Sequence, residues 1–374
     1  MDTPYYFYDL GLLRRTLEAV RSEADAFNFR VHYALKANSN PKLLSIIRAY
    51  NLGADCVSGN EIARALEVGF APPDIVFAGV GKTDAEIAYG LNHDIFCFNC
   101  ESLQELEVID AIAASLGKCA NVALRINPNI DAETHHHITT GLNDNKFGIG
   151  IGDLGEACDL ARRLTHIKMN AIHLHVGSQI TNFSVFFDLC VCVNELQRFF
   201  EQQNIVLEHI NLGGGLGVDY LEPDTHAIAD FRGYFSLFDK ALERRKNQQV
   251  HFELGRSIVA QCGSLMSRVL YVKKTQATEF VVIDAGMTEL LRPALYQAVH
   301  LIENISRVGE ANERKYNIVG PICESSDCFG KDVSLPKTER GDLIAIRSTG
   351  AYGETMASEY NLRSKAKAFY SPEP

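Results

Sequence analysis

Val31-His32-Tyr33-Ala34-Leu35-Lys36-Ala37-Asn38 runs from a short, largely apolar strand into a single lysine. A strand carries that amine to a fixed point, and partial burial would lower its pKa so that it can act as a nucleophile. Taken alone, the segment reads first as a lysine snorkelling at a strand end. The rest of the chain overturns that reading. His175, the triple glycine Gly213-Gly214-Gly215, Glu253 and Arg256 all fall at the same end of later strands.

Outward from Lys36, strand and helix signals alternate up to about residue 255. The strands expected are Arg30–Leu35, Gly53–Val57, Ile75–Ala78, Ile95–Phe98, Val122–Asn127, Ala171–His175, His209–Leu212 and Val250–Glu253. They are short and apolar, as strands buried on both faces should be. Ser58-Gly-Asn-Glu61, Thr83-Asp-Ala-Glu86 and Ser102-Leu-Gln-Glu105 each match a capping box, and Pro41 suits a first helical turn. This count predicts a (β/α)8 barrel, with a doubly wound open sheet as the alternative. The barrel is favoured because Lys36, Asp55, Arg125, Asn127, His175, Gly213–Gly215 and Glu253 sit at or just after strand ends. In a barrel those ends converge on one face.

After Ser264 the helical period fades. Leu265–Lys274, Glu279–Asp284, Tyr316–Val319 and Asp342–Ser348 read as strands, with a helical stretch around Pro293–Ile305. The expected domains are a barrel over 10–264 and a β-rich C-terminal domain, sandwich or barrel-like, over 265–374, joined by residues 1–9 through the strand-like Tyr5–Tyr8.

The formal charge of −11 argues against a nucleic-acid partner but allows a locally positive anion pocket. No apolar run approaches the roughly 20 residues of a membrane helix, and no signal peptide is read at the N-terminus. Ten cysteines then read as reduced thiols in a cytoplasmic protein.

The strand-end residues meet the needs of pyridoxal 5'-phosphate: a lysine for the Schiff base, a phosphate cradle, a partner for the pyridine nitrogen and a side chain against the ring. Gly213-Gly214-Gly215-Leu216-Gly217 can turn backbone amides toward a phosphate, although such a turn is as often only a tight connection. Glu253 would keep the pyridine nitrogen protonated, or else is a structural carboxylate at the barrel mouth. Arg256 offers a fork for a carboxylate. His175, in His173-Leu-His175-Val-Gly-Ser178-Gln179, would stack on the ring.

Tyr33-Ala-Leu-Lys36-Ala-Asn, His175-Val-Gly-Ser178-Gln, Gly213-Gly214-Gly215-Leu-Gly and Glu253-Leu-Gly255-Arg256 resemble the signatures of the fold-type III pyridoxal-phosphate decarboxylases. These are barrel enzymes with a C-terminal β domain, similar in architecture to alanine racemase. The resemblance continues through Asp284-Ala-Gly-Met, Arg292-Pro-Ala-Leu-Tyr296, Cys323-Glu324-Ser-Ser-Asp327 and Gly350-Ala-Tyr352-Gly. Thr134-His135 with Ile138–Gly141 and Lys146-Phe-Gly148, and Glu324 directly after Cys323, are most similar to the branch acting on diaminopimelate.

The resemblance implies Lys36 and Cys323 as catalytic residues. It implies Asp55, His175, Ser178, Gly213, Gly214, Gly215, Glu253, Gly255, Arg256 and Tyr352 around the cofactor, and Arg256, Arg292, Tyr296, Glu324 and Tyr352 around a small amino-acid substrate. It also implies a homodimer with shared active sites, Cys323 reaching in from the partner subunit. Leu254 departs from the family, which usually has proline there. The rival readings are a decarboxylase of another basic amino acid or carboxylated polyamine, and an inactive regulator on the same fold. Lys36 together with Cys323 counts against the regulator, and Glu253 counts against a racemase, which pairs the nitrogen with arginine. No metal is expected: adjacent residues in His135-His136-His137 point different ways. Cys97-Phe-Asn-Cys100 reads as two buried structural thiols rather than a redox pair.

Overall fold

The computed structural model describes residues 2–128, 130 and 146–372. The motifs at 134–141, including the three histidines, lie outside the described residues. The chain divides into two compact units. One holds Leu17–Gly217 and Asp230–Gly255; the other holds Met1–Thr16, Val218–Ala229 and Arg256–Pro374.

Strand β1 (Tyr5–Tyr8) belongs to the second of these. The first is a closed barrel of β2 (Phe29–Ala34), β3 (Gly53–Cys56), β4 (Ile75–Phe77), β5 (Cys97–Cys100), β6 (Ala120–Arg125), β7 (Ile167–His173), β8 (His209–Asn211) and β9 (Gln249–Leu254). Every neighbouring pair is parallel, and β9 closes on β2 with His32 opposite Glu253. That closure excludes the open sheet. Burial on both faces explains why the strands read as apolar runs rather than as alternations. Leu254 continues β9 by one residue, buried, in register with Tyr33.

The connecting helices start largely where the sequence marks them. Pro41 opens a helix capped by Asn40, and Thr83 with Glu86 forms a complete capping box. Ser58 and Ser102 each accept the expected amide, but their carboxylate partners reach one residue further back. Glu61 accepts from the Val57 amide and Glu105 from the Glu101 amide.

In the other unit, β10 (Gly263–Lys274), β11 (Glu279–Ile283), β12 (Ile302–Asn304), β13 (Arg314–Val319), β14 (Cys328–Leu335) and β15 (Leu343–Ile346) form a sheet in the order β12-β15-β10-β11-β13-β14. β1 pairs antiparallel with β10, and β16 (Lys367–Tyr370) lies parallel to β1. The helical stretch expected around Pro293–Ile305 is shorter. It spans Arg292–Tyr296 and stops where Gln297 turns left-handed at φ 54°. Ile302–Asn304 instead pairs with β15, a tertiary contact that overrides the local pattern.

Toward the N-terminal ends of the barrel strands, three histidines form a hydrogen-bonded row. His32 Nε2 lies 2.9 Å from His251 Nδ1, and His251 Nε2 lies 3.1 Å from His209 Nδ1. Phe96 packs against all three rings. Among the described residues no helix is long and apolar enough to cross a membrane.

Candidate active site

At the C-terminal ends of the barrel strands, the turn Leu35–Ala37 presents Lys36 immediately after β2. Its Nζ lies 3.0 Å from Asp55 Oδ2 of β3. This counter-ion, fully buried, stabilises the ammonium and is not implied by the strand pattern around Lys36. Burial and the Glu253 charge push Asp55 upward from the ordinary carboxylate range, against the pull of Lys36.

Glu253 is buried and receives donors from three other strands. Asn99 of β5 and Asn211 of β8 donate their Nδ2 to Oε1 at 3.0 and 2.7 Å, and His173 Nε2 of β7 lies 3.1 Å from Oε2. Burial alone would raise its pKa, but the hydrogen bond from His173 and the Lys36 charge outweigh it and hold Glu253 well below the usual range. It is therefore a carboxylate at neutral pH.

Two residues past β8, Gly213 stands at φ 63°. A Cβ at Gly214 would overlap the carbonyl oxygen of Glu253, so only glycine allows the turn to approach β9 this closely. The Gly213 amide donates to Asn211 Oδ1 at 2.9 Å, and the Gly214 amide to His175 Nδ1 at 3.2 Å. Two of the three glycine amides expected to face a phosphate are thus engaged within the loop. As an acceptor, His175 Nδ1 carries no proton. Burial, Arg125 and Lys36 hold the ring neutral, well below its ordinary pKa. Ser178 is half-buried two residues beyond Val176 on the same connection, and Gly255 packs against Ala34 and Ala37 beside Lys36.

The β-rich unit has its own polar group. Arg256 Nη1 donates to the Tyr220 hydroxyl at 2.7 Å, and its guanidinium lies 5.0 Å from the centre of the Tyr352 ring. Arg292 lies 4.8 Å from the centre of the Tyr220 ring, and its Nη1 is 2.9 Å from His300 Nε2. Burial and the Arg292 charge hold His300 down to about 3, so it is a neutral acceptor. Both arginines are buried, and Arg292 has no carboxylate partner among the described residues. Tyr296, half-buried at the end of its short helix, influences Arg256 electrostatically. Cys323 and Glu324 sit on an exposed turn, where Glu324 Oε1 accepts from the Tyr360 hydroxyl at 2.6 Å.

Sequence reasoning missed Asn99, His173 and Asn211 around Glu253, and Tyr220 and His300 around the arginines. The first three share the signal that marked Lys36, a polar side chain near a strand end; His173 and Asn211 even flank the His175 and glycine motifs, but Asn99 stands beside none. Cys97 and Cys100 are buried free thiols; burial pushes both upward, Cys97 to about 12.

The model of the pyridoxal-dependent decarboxylase family, pyridoxal binding domain, matches residues 10–260. The chain is 53% identical to the diaminopimelate decarboxylase of Bacteroides thetaiotaomicron, covering all of this chain and 96% of that protein. It is 42% identical to that of Neisseria meningitidis serogroup B, over 97% of this chain and 86% of the relative. The crystal structure of the Helicobacter pylori diaminopimelate decarboxylase complexed with L-lysine superposes with a TM-score of 0.93 at 40% identity, over 100% of this chain and 92% of that one. With matches of this strength running the length of both units, the chain belongs to the diaminopimelate decarboxylases of the pyridoxal-dependent decarboxylase family.

Proposed function

We infer that the chain decarboxylates meso-2,6-diaminopimelate to L-lysine and carbon dioxide, the last step of lysine biosynthesis, with pyridoxal phosphate as cofactor. The observation that carries this reading is the barrel end itself, where an amine, a neutral imidazole and an ionised carboxylate are gathered by β2, β7 and β9. That donor set fits pyridoxal phosphate. The fit is supported by Asp55 Oδ1, a buried oxygen beside the Lys36 amine without a partner among the described residues.

Lys36 supplies the anchoring amine, and Asp55 Oδ2 is placed to hold its proton. Glu253 would hold a proton at the ring nitrogen, and His175 would offer its neutral ring to the cofactor. Ser178, the glycine turn, Arg256 and Tyr352 would take the phosphate. When bound, pyridoxal phosphate would supply the electron sink for the pair left behind as carbon dioxide departs. Cys323 Sγ would supply the proton that replaces the lost carboxylate. Its exposed turn suits a residue contributed to the partner subunit's site in a homodimer.

Substrate choice rests on Arg292. A buried guanidinium without a carboxylate calls for an anion from the ligand, and the distal carboxylate of diaminopimelate provides one. Tyr296 and Tyr352 add hydroxyl donors, and Glu324 takes the distal ammonium. Arg292→Ala is expected to lower kcat/KM for diaminopimelate roughly 30-fold or more. Unchanged turnover, or a preference of the unmodified enzyme for ornithine in a carbon-dioxide-release panel, would sink the assignment. Mixing Lys36→Ala with Cys323→Ala protein should restore part of the activity by pairing one intact Lys36 with one intact Cys323. No recovery would argue against shared sites.

A further inference from the structure

Glu253 already accepts three side-chain hydrogen bonds, from Asn99, Asn211 and His173. We propose that Asn99, His173 and Asn211 are positioning residues that decide where the proton sits between Glu253 and the pyridine nitrogen. With their donors in place the proton stays on the nitrogen, and without them it moves to the carboxylate. The inference rests on the assignment of Glu253 to that nitrogen.

Two of the three side chains leave a polar atom unmet to reach Glu253. Asn99 Oδ1 and His173 Nδ1 are buried and have no hydrogen-bond partner among the described residues. A buried polar atom left unmet is costly, so such groups normally turn to satisfy themselves. Here each leaves one polar atom unmet to aim a donor at Glu253. Because an ionised carboxylate only accepts, His173 must carry its proton on Nε2 and both amides must present Nδ2. Asn211 satisfies its oxygen on the Gly213 amide, and the Glu253 amide donates back to the Gly213 carbonyl at 2.8 Å. Glu253, Asn211 and Gly213 therefore close a hydrogen-bonded ring, which fixes the carboxylate against the glycine turn.

The distribution over the two oxygens is unequal. Oε1 takes both amides, whereas Oε2 takes His173 alone and keeps capacity for one further donor. A carboxylate meeting a pyridine nitrogen in a dry site can take the proton and leave two neutral partners, because burial disfavours a charged pair. Each donor already on the carboxylate lowers its basicity and opposes that transfer. The surrounding charges act in both directions. Lys36 and the donor on His173 favour the carboxylate, and Asp55 opposes it. His32, His251 and Cys97 also feel the Glu253 charge. With burial as the largest opposing influence, the donors tip the balance.

The test uses the holoenzyme loaded with cofactor labelled with nitrogen-15 in the ring, whose chemical shift separates pyridinium from neutral pyridine. The unmodified protein should show pyridinium throughout the neutral and mildly alkaline range. Asn99→Leu and His173→Leu should move the signal toward neutral pyridine and lower kcat about tenfold or more with KM little changed. His173→Gln, which keeps a donor in place, should restore the pyridinium signal. A pyridinium shift retained in both leucine variants would overturn the proposal. Should those variants fail to fold, loss of the ring proton near neutral pH in the unmodified holoenzyme would overturn it as well. Glu253→Gln separates the two layers. If it keeps the pyridinium shift, the assignment of Glu253 itself fails; if it loses the shift while the leucine variants keep theirs, only the present proposal fails.

Discussion

The two ends of one barrel bury polar side chains in opposite ways. At the C-terminal end of the strands, Glu253 is ionised, ringed by donors, and lies in the field of the Lys36–Asp55 ion pair. At the N-terminal end, His32, His251 and His209 are hydrogen-bonded to each other and to a backbone carbonyl, packed on Phe96, and joined to no ionised partner among the described residues. Burial lowers all three of their pKa values, so the row is neutral. Both clusters are hydrogen-bonded, yet only one holds charge out of water, and holding charge there requires a dedicated set of partners. Charge retained at such expense marks the reactive end; neutrality marks the structural one.

Three substitutions or titrations can break or sharpen that contrast. Lys36→Ala carries the largest effect: turnover should fall roughly a thousandfold or more, and borohydride should no longer fix the cofactor to any peptide. Fixation at another lysine in the unmodified protein would show that the reactive end has been misplaced. His251→Leu should do the reverse. It leaves His32 Nε2 and His209 Nδ1 without their partner, costing about 1–3 kcal/mol in denaturant unfolding, while kcat stays within about twofold. A large loss of kcat with unchanged stability would erase the distinction between the ends.

The smallest effect concerns pH. The folded pKa values of the three histidines lie below the unfolded value of about 6.5, so the unfolded chain binds protons more readily. Their contribution to stability is complete above that value and is lost as pH falls through it. Stability measured by urea unfolding should therefore decline below about pH 6.5, and less steeply in His251→Leu. Equal slopes in the two proteins would mean that the row does not titrate as described.

The barrel was legible because eight short apolar runs, each followed by a helix start, leave little else to form. Lys36, His175, Glu253 and the glycine turn were legible because they sit inside motifs. Asn99 and Asn211 were not, since an asparagine near a strand end carries no local mark, and their partner lies 154 and 42 residues away. The same distance hid β12 and β16, which exist through pairing rather than through pattern. The half-formed caps at Ser58 and Ser102 show the reverse case, a correct local motif redirected when Glu61 and Glu105 find amides one residue upstream. The segment Val218–Ala229 groups with the β-rich unit, and no change of composition or period announces it.

One backbone atom sets the orientation of the whole histidine row. The Asp74 carbonyl can only accept, so His32 must turn an N–H toward it from Nδ1, 3.1 Å away. That leaves His32 Nε2 to accept from His251 Nδ1, and His251 Nε2 to accept from His209 Nδ1. Three rings that could each choose between two tautomers are left with one arrangement, written in sequence from a single oxygen. The row is thus polarised, with its lone-pair end at His209, and that ring is the first of the three to meet a proton arriving from solvent.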